Sequence, residues 1–334
     1  MTSQASRTAN PSLRDSVVYL PPGASPAAAL ERLQANVASV FLGKPEVIQM
    51  ALVTLLAEGH LLVEDVPGIG KTLLAKALAR SLDCTFNRIQ FTPDLLPSDL
   101  LGTSVFHQGS ESFVFQPGPL FAQVVLADEI NRSTPRTQSA LLEAMNERQV
   151  TIDGQTRPLG PPFFVLATQN PYEFEGTYPL PESQLDRFLM RLRVGYPDRA
   201  AEKQILTGHR IGEPVDYLKP VLSASEMTAL QQHVRQVRVE DSLSDYMLEL
   251  IAATREHPGV YLGASTRGAL SLYRAAQALA LVEGRDFVVP DDIKRLARPV
   301  LAHRILPRTA RQGSTSDPGE DIISDILLQT PLPA

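Results

Sequence analysis

Leu61-Leu62-Val63-Glu64-Asp65-Val66-Pro67-Gly68-Ile69-Gly70-Lys71-Thr72 is the stretch whose reading decides the fold. It reads as a buried strand, a glycine-containing turn and the start of a helix over Leu73–Leu82, with Lys-Thr at the junction. That is how a triphosphate cradle is built. Backbone N–H groups of a loop wrap the phosphates, and the helix N-terminus adds positive potential. The cradle comprises Val66, Pro67, Gly68, Ile69, Gly70, Lys71, Thr72 and Leu73, with Lys71 reaching the β- and γ-phosphates and the Thr72 hydroxyl ligating Mg²⁺. The strict pattern G-x-x-x-x-G-K-[ST] places glycine where this chain has Asp65, so the loop needs support from elsewhere in the chain.

Outward from the loop, strand-like segments alternate with helix-like ones as far as Val194. Leu61–Val63, Val124–Ala127 and Phe163–Thr168 are apolar on both faces, as strands of a parallel sheet covered on both sides must be. Arg88–Phe91 and Met190–Val194 alternate instead, as strands nearer a sheet edge do. Upstream, Pro26–Val40 and Glu46–Leu56 have helical spacing. Beyond Pro197 the segments Ala200–Arg210, Ala224–Val237, Ser242–His257, Thr266–Glu283 and Asp291–His303 all read as helices, with a short one expected at Asp321–Leu328. Two hairpins interrupt the α/β part. One pairs Val105–Gln108 with Phe113–Gln116, and the other turns at Asp153-Gly154 within Val150–Arg157. Between the second hairpin and the strand before it lies a helix capped by Thr134, begun by Pro135 and faced by Leu141, Leu142 and Met145.

Bulk properties exclude several classes. A net charge of −6 over 334 residues argues against a globally basic surface gripping nucleic acid. No apolar run is long enough to cross a membrane, and Met1–Ser25 lacks the apolar core of a signal peptide. One cysteine, Cys84, forms no intramolecular disulfide and fits a reducing, cytoplasmic setting. The 6 histidines show no close pairing, so a structural metal site is not expected.

Four further motifs support the loop. Val124–Ala127 runs into Asp128-Glu129, placing two acids at the carboxyl end of a strand, where α/β sheets hold ligands. Such a pair alone is commonly a solvated turn; after a phosphate loop it suits Mg²⁺ at Asp128 and an attacking water at Glu129. A second apolar strand leads to Asn170, which could hold that water, although Asn170-Pro171 is also a turn former. Arg187 stands just before the last strand, able to reach a neighbouring subunit's γ-phosphate, or to form a surface pair with Asp186. Arg267, in the first turn of a helix, is mildly unfavourable with the helix dipole unless an anion is near.

This order of loop, acid pair, polar strand end and two arginines resembles the AAA+ ATPases. The wording of Val66–Thr72, Ala127-Asp128-Glu129-Ile130-Asn131-Arg132, Ala167–Pro171 and Gly176–Glu182 is similar to the MoxR family, and the likeness covers about Leu30 to Pro307. The resemblance implies an α/β AAA+ module, a parallel sheet flanked by helices, with the hairpins as helix-2 and pre-sensor-1 inserts and an all-helical lid after it. The expected division is a disordered tail (1–25), a nucleotide-binding domain (26–196), a lid (197–309) and a loosely ordered C-terminal tail (310–334). A first loop residue other than glycine is then a family trait, and the chain resembles the short members without a fused von Willebrand A domain. The resemblance further implies ATP and Mg²⁺ as cofactors, with Glu129, Asn170, Arg187 and Arg267 as catalytic residues. It also implies a homo-oligomeric ring, taken as a hexamer, that remodels or matures a protein client. A separate von Willebrand A partner and metal-cofactor insertion come with it. Whether Arg267 serves its own subunit's nucleotide or a neighbour's stays open. Phe106, Phe113 and Phe115 either grip a client or pack within the first hairpin. Two other readings are carried: a DNA-acting motor, against which the second hairpin's balance of Arg148 and Arg157 with Glu147 and Asp153 counts, and a nucleotide-gated scaffold that does not hydrolyse.

Overall fold

A computed structural model describes residues 25–66, 68–170, 176–208, 212–308 and 317–332. The expected N-terminal tail, Ser25 excepted, lies outside these, as do Pro67, Pro171 and the end of the helix expected to reach Arg210. Among the described residues, helices α1 (Pro26–Ala38) and α2 (Pro45–Leu56) precede strand β1 (Leu61–Glu64), and each has proline in its first turn, where the missing N–H costs nothing. Then follow α3 (Lys71–Ser81), β2 (Phe86–Gln90), α4 (Pro97–Leu101), the hairpin β3 (Gly102–His107) and β4 (Ser112–Pro117), and β5 (Val124–Asp128). Next come α5 (Pro135–Glu147), the hairpin β6 (Gln149–Ile152) and β7 (Gln155–Pro158), β8 (Phe164–Gln169), α6 (Glu182–Leu185) and β9 (Met190–Leu192).

Strands β2-β5-β8-β1-β9, in that order, form one sheet, parallel throughout. Every residue of β1 and β5 is buried, whereas β2 and β9 are only partly buried and occupy the two edges, the place their sequences suggested. Because successive strand side chains point to opposite faces, Val63, Leu126 and Leu166 join one apolar cluster with α1–α3. Leu62, Val125 and Ala167 join another with Leu141, Leu142 and Met145 of α5. The Asp153-Gly154 turn has φ of 51° and 73°, the left-handed pair that a two-residue hairpin turn needs. Thr134 does not cap α5 with its side chain as expected; its hydroxyl is shared with that of Thr137 at 3.2 Å.

The helical lid holds α7 (Arg199–Gly208), α8 (Ala224–Val234), α9 (Asp241–Glu256), α10 (Thr266–Val282) and α11 (Pro290–Leu301). Besides the helices, β10 (Val260–Leu262) pairs antiparallel with β11 (Leu306–Pro307), and Arg238 bridges to Phe287. A correction concerns the C-terminus. Within 310–334, expected to be loosely ordered, Pro318–Gln329 forms helix α12, longer than the short helix foreseen, and buries Ile322, Ile323 and Ile326 against the lid. Helix α2 is apolar almost all round, which fits its place between α1 and the lid helices α8 and α10. The Gln231 amide of α8 donates to the Leu55 carbonyl at 2.7 Å, adding a polar tie to that shared core.

Candidate active site

The phosphate loop leaves β1 and enters α3 at Lys71, two residues earlier than the sequence suggested, so Lys71 and Thr72 both lie in the first helical turn. Gly68 and Gly70 have φ of 85° and 89°, left-handed values that a side chain strains. Gly70 also faces Phe41, whose ring would lie 3.2 Å from an added Cβ. As the N-cap of α3 it turns the helix's unsatisfied N–H groups toward a cleft of about 480 Å³. Of the candidate cradle residues, Gly68, Ile69, Gly70, Thr72 and Leu73 line that cleft. Val66 packs on the core beside it, and Pro67 lies outside the described residues. Phe41, Val194, Pro197, Ile205 and Val215 give the far end of the cleft an apolar wall. Lys71 Nζ donates to the Asp65 carbonyl at 2.8 Å.

At the end of β5 the buried Asp128 accepts the Thr168 hydroxyl on Oδ1 at 2.7 Å, and Arg88 on Oδ2 at 2.6 Å and 3.2 Å. Glu129 has a left-handed φ of 58°, which turns its side chain away from the strand direction. Its N–H donates to Thr168 Oγ1 at 2.9 Å, so one hydroxyl orders both acids. Its carboxylate accepts Gln90 Nε2 at 2.8 Å and pairs with Arg132 at 3.1 Å. Asn170 is buried just past β8, the strand between the acid-bearing β5 and the loop-bearing β1.

Arg187 and Arg267 lie elsewhere. Neither lines the loop cleft; both line a second cavity of about 270 Å³ with Arg148, Arg274 and Arg304, against which stand the acids Glu58 and Asp186. The excess of guanidinium groups makes this cavity attractive to an anion. Arg187 donates to the Leu142 carbonyl at 3.0 Å, while its Nε is buried without a partner. Arg267 is exposed and donates to Asn146 Oδ1 at 3.3 Å. The Asp186–Arg187 pair weighed from sequence does not form: Asp186 is taken by Arg304 of the lid, 2.9 Å away. Burial pulls the Arg304 guanidinium down to about 10, against the opposing charge of Asp186. Burial would raise the Glu58 carboxyl, but Arg148 and Arg235 outweigh it and hold that group below its ordinary value.

Residues 60–190 match the family described as "ATPase family associated with various cellular activities (AAA)", and residues 252–326 match the AAA lid domain. The chaperone MoxR1 of Mycobacterium tuberculosis is 43% identical over 313 residues, spanning 91% of this chain and 82% of its own. The chain belongs to the MoxR family of AAA+ ATPases. The uncharacterized protein YeaC of Bacillus subtilis is 49% identical across 88% of this chain and 92% of its own. A solved structure of a candidate ATPase from Cytophaga hutchinsonii, 39% identical, superposes with a TM-score of 0.85 over 92% of this chain and 96% of that one.

This MoxR-family protein is thus an ATPase. Its sequence reading missed the residues that hold the acids: Arg88, Gln90 and Thr168. Polar residues at alternate positions of β2 were a signal, but only the pairing Gln90↔Asp128 shows what they face. His60, in the arginine cavity of this MoxR-family ATPase, was missed too. The Val165 N–H donates to its Nδ1 at 3.1 Å, which leaves the proton on Nε2, 3.0 Å from the Met145 carbonyl. Burial first, then the Arg148 charge, lower its pKa to about 4. A depressed histidine stabilises the fold fully above its unfolded value near 6.5, and that contribution is lost as pH falls from 6.5 toward 4. Buried His303, also lowered, acts in the same direction. Urea titrations at pH 7.5 and pH 5 should therefore show stability falling by about 2 kcal/mol or more at the lower pH. A flat profile would contradict the buried neutral assignment.

Proposed function

We propose that this ATPase acts as a ring, taken as a hexamer, with each ATP held between two subunits. The observation that carries this is the separation of parts. The phosphate loop lines one cleft and the acids stand at the end of β5 in the same sheet, while Arg187 and Arg267 share a separate cavity, which fits each chain supplying half of two different sites. A head-to-tail interface that closes on itself is a ring. On this reading Arg267, like Arg187, serves the neighbour's nucleotide. ATPase rate per subunit should fall on dilution as the ring dissociates, in step with the mass read by light scattering. A specific rate unchanged in a demonstrable monomer would defeat the proposal.

Lys71 and the loop amides hold the β- and γ-phosphates. Asp128 and Thr72 fit Mg²⁺: they offer hard oxygen donors, and no cluster of metal-binding side chains among the described residues would hold an ion without the nucleotide. The chemistry supplied by a bound Mg²⁺ is neutralisation of charge on the phosphate oxygens. Glu129 accepts the proton of the water that attacks the γ-phosphorus, and Asn170 orients that water. Arg187 and Arg267 of the neighbour balance charge on the γ-phosphoryl group as its bond to the β-phosphate breaks, giving ADP and phosphate.

The work done with that energy is proposed to be chaperone-like remodelling or maturation of a protein client, in cytoplasm, with a von Willebrand A partner and in some cases metal insertion. The named chaperone relative supports this reading. So does the first hairpin: Phe106 and Phe113, 51% and 73% exposed, stack edge-to-face at its surface, while Phe115 packs on Phe121 beneath Arg157. The two exposed rings are the client-gripping candidates; Phe115 is structural. DNA is the lesser alternative, since Arg148, which leads from α5 into the second hairpin, is already paired with Glu58 at 2.5 Å.

A further inference from the structure

Asp65 stands where the strict phosphate-loop pattern has glycine, and its side chain makes contacts that glycine could not. Its Oδ1 accepts the N–H of Val66, the next loop residue, at 2.8 Å. Its Oδ2 accepts the N–H groups of Val194 and Gly195 at 2.9 Å and 2.6 Å. Val194 and Gly195 lie in the connection that leaves β9 for the lid, and with Pro197 they line the apolar end of the loop cleft. One carboxylate therefore ties the start of the phosphate loop to the wall opposite. The main chain of Asp65 adds to the junction. Its N–H donates to Gln169 at 3.3 Å, one residue before Asn170, and its carbonyl accepts Lys71.

We infer that Asp65 is a positioning residue that sets the base-binding wall of the nucleotide cleft relative to the phosphate loop, and so governs affinity for the nucleoside part of the ligand. The inference rests on the reading of this cleft as the ATP site. The physical reason is directional. Hydrogen bonds to an ionised acceptor are stronger and more tightly oriented than neutral ones. Two of them converge on adjacent amides at the point where the chain turns through Gly195, whose φ of 65° suits glycine. Without Asp65, those amides lose their acceptor and the wall is no longer registered to the loop. The phosphate-binding groups themselves, Lys71 and the amides from Gly68 onward, belong to the backbone turn and α3 rather than to that wall; on the loop side the carboxylate meets the Val66 N–H, and Lys71 meets the main-chain carbonyl that any residue at this position keeps.

This separates two ligands. ATP uses both the loop and the wall, whereas inorganic tripolyphosphate uses the loop alone. Calorimetric titration of the full chain with each ligand in the presence of Mg²⁺ tests the difference. Asp65→Gly, which restores the strict loop pattern, should weaken ATP and ADP by about tenfold, the loss expected from removing charge-assisted hydrogen bonds, and leave tripolyphosphate within twofold. Asp65→Asn keeps one carbonyl acceptor and should show a smaller loss in the same selective pattern, which keeps the test open if the glycine variant does not fold. Equal losses for both ligands, or no loss for either, would overturn the role of Asp65 in the wall. Wild-type protein that binds neither ligand would overturn the cleft assignment and this inference with it.

Discussion

Glu129→Gln should bind ATP about as tightly as the parent chain and turn it over at least about 100-fold more slowly, the scale on which a positioned general base contributes. Glutamine keeps the size of the side chain and still offers an oxygen to Gln90 Nε2, which lies 2.8 Å from Glu129. It cannot accept a proton from water. The left-handed backbone at Glu129 and the Thr168 hydroxyl on its N–H do not depend on the carboxylate, so the substitution should leave the surrounding geometry in place. Phosphate release under saturating ATP, together with direct nucleotide binding, checks both halves. Turnover within threefold of the parent would favour a nucleotide-gated scaffold, because the acid would then not be the base.

Arg187→Ala should lower turnover by about 1,000-fold, the lower end of what an arginine supplied to a phosphoryl transfer contributes. The decisive version mixes it with Glu129→Gln. In a randomly mixed ring roughly a quarter of interfaces join an intact Glu129 to an intact Arg187 across the subunit boundary. Turnover should therefore return to well above that of either variant alone. Confirmed mixed rings with no recovery would show that Arg187 does not act on a neighbour. Removing the arginine also uncovers the Leu142 carbonyl that it now occupies, so a melting curve should accompany the kinetics to separate a stability loss from a catalytic one.

Local chemistry carried much of the sequence reading. The loop glycines, the proline-started helices and the Asp-Gly hairpin turn follow from φ preferences of single residues. The central and edge strands follow from whether both faces or one are apolar. Asp65 is the instructive limit. Its sequence marks a departure from a pattern, but its partners Val194 and Gly195 lie far along the chain, and only the pairing of β1 with β9 brings them near. Arg304 and Asp186 meet for a similar reason, across 118 positions of chain between lid and sheet. α12 was under-read because its isoleucines gain stability only against the lid surface that they cover.

By itself the sequence determined the main helices, the sheet strands and the hairpin turns, though not β10, β11 or the length of α12, and that the phosphate loop and the acid pair end strands of a parallel sheet. Period and backbone preference are local, and strand ends in such a sheet share one side. The tertiary structure alone decided which polar groups face one another. Arg88 and Gln90 meet the acids, Asp65 meets the wall, and Arg187 joins Arg267 in a cavity apart from the loop. Those contacts depend on strand order and on how the lid docks, which are set by burying apolar faces together rather than by the polar residues that the folding then brings into register.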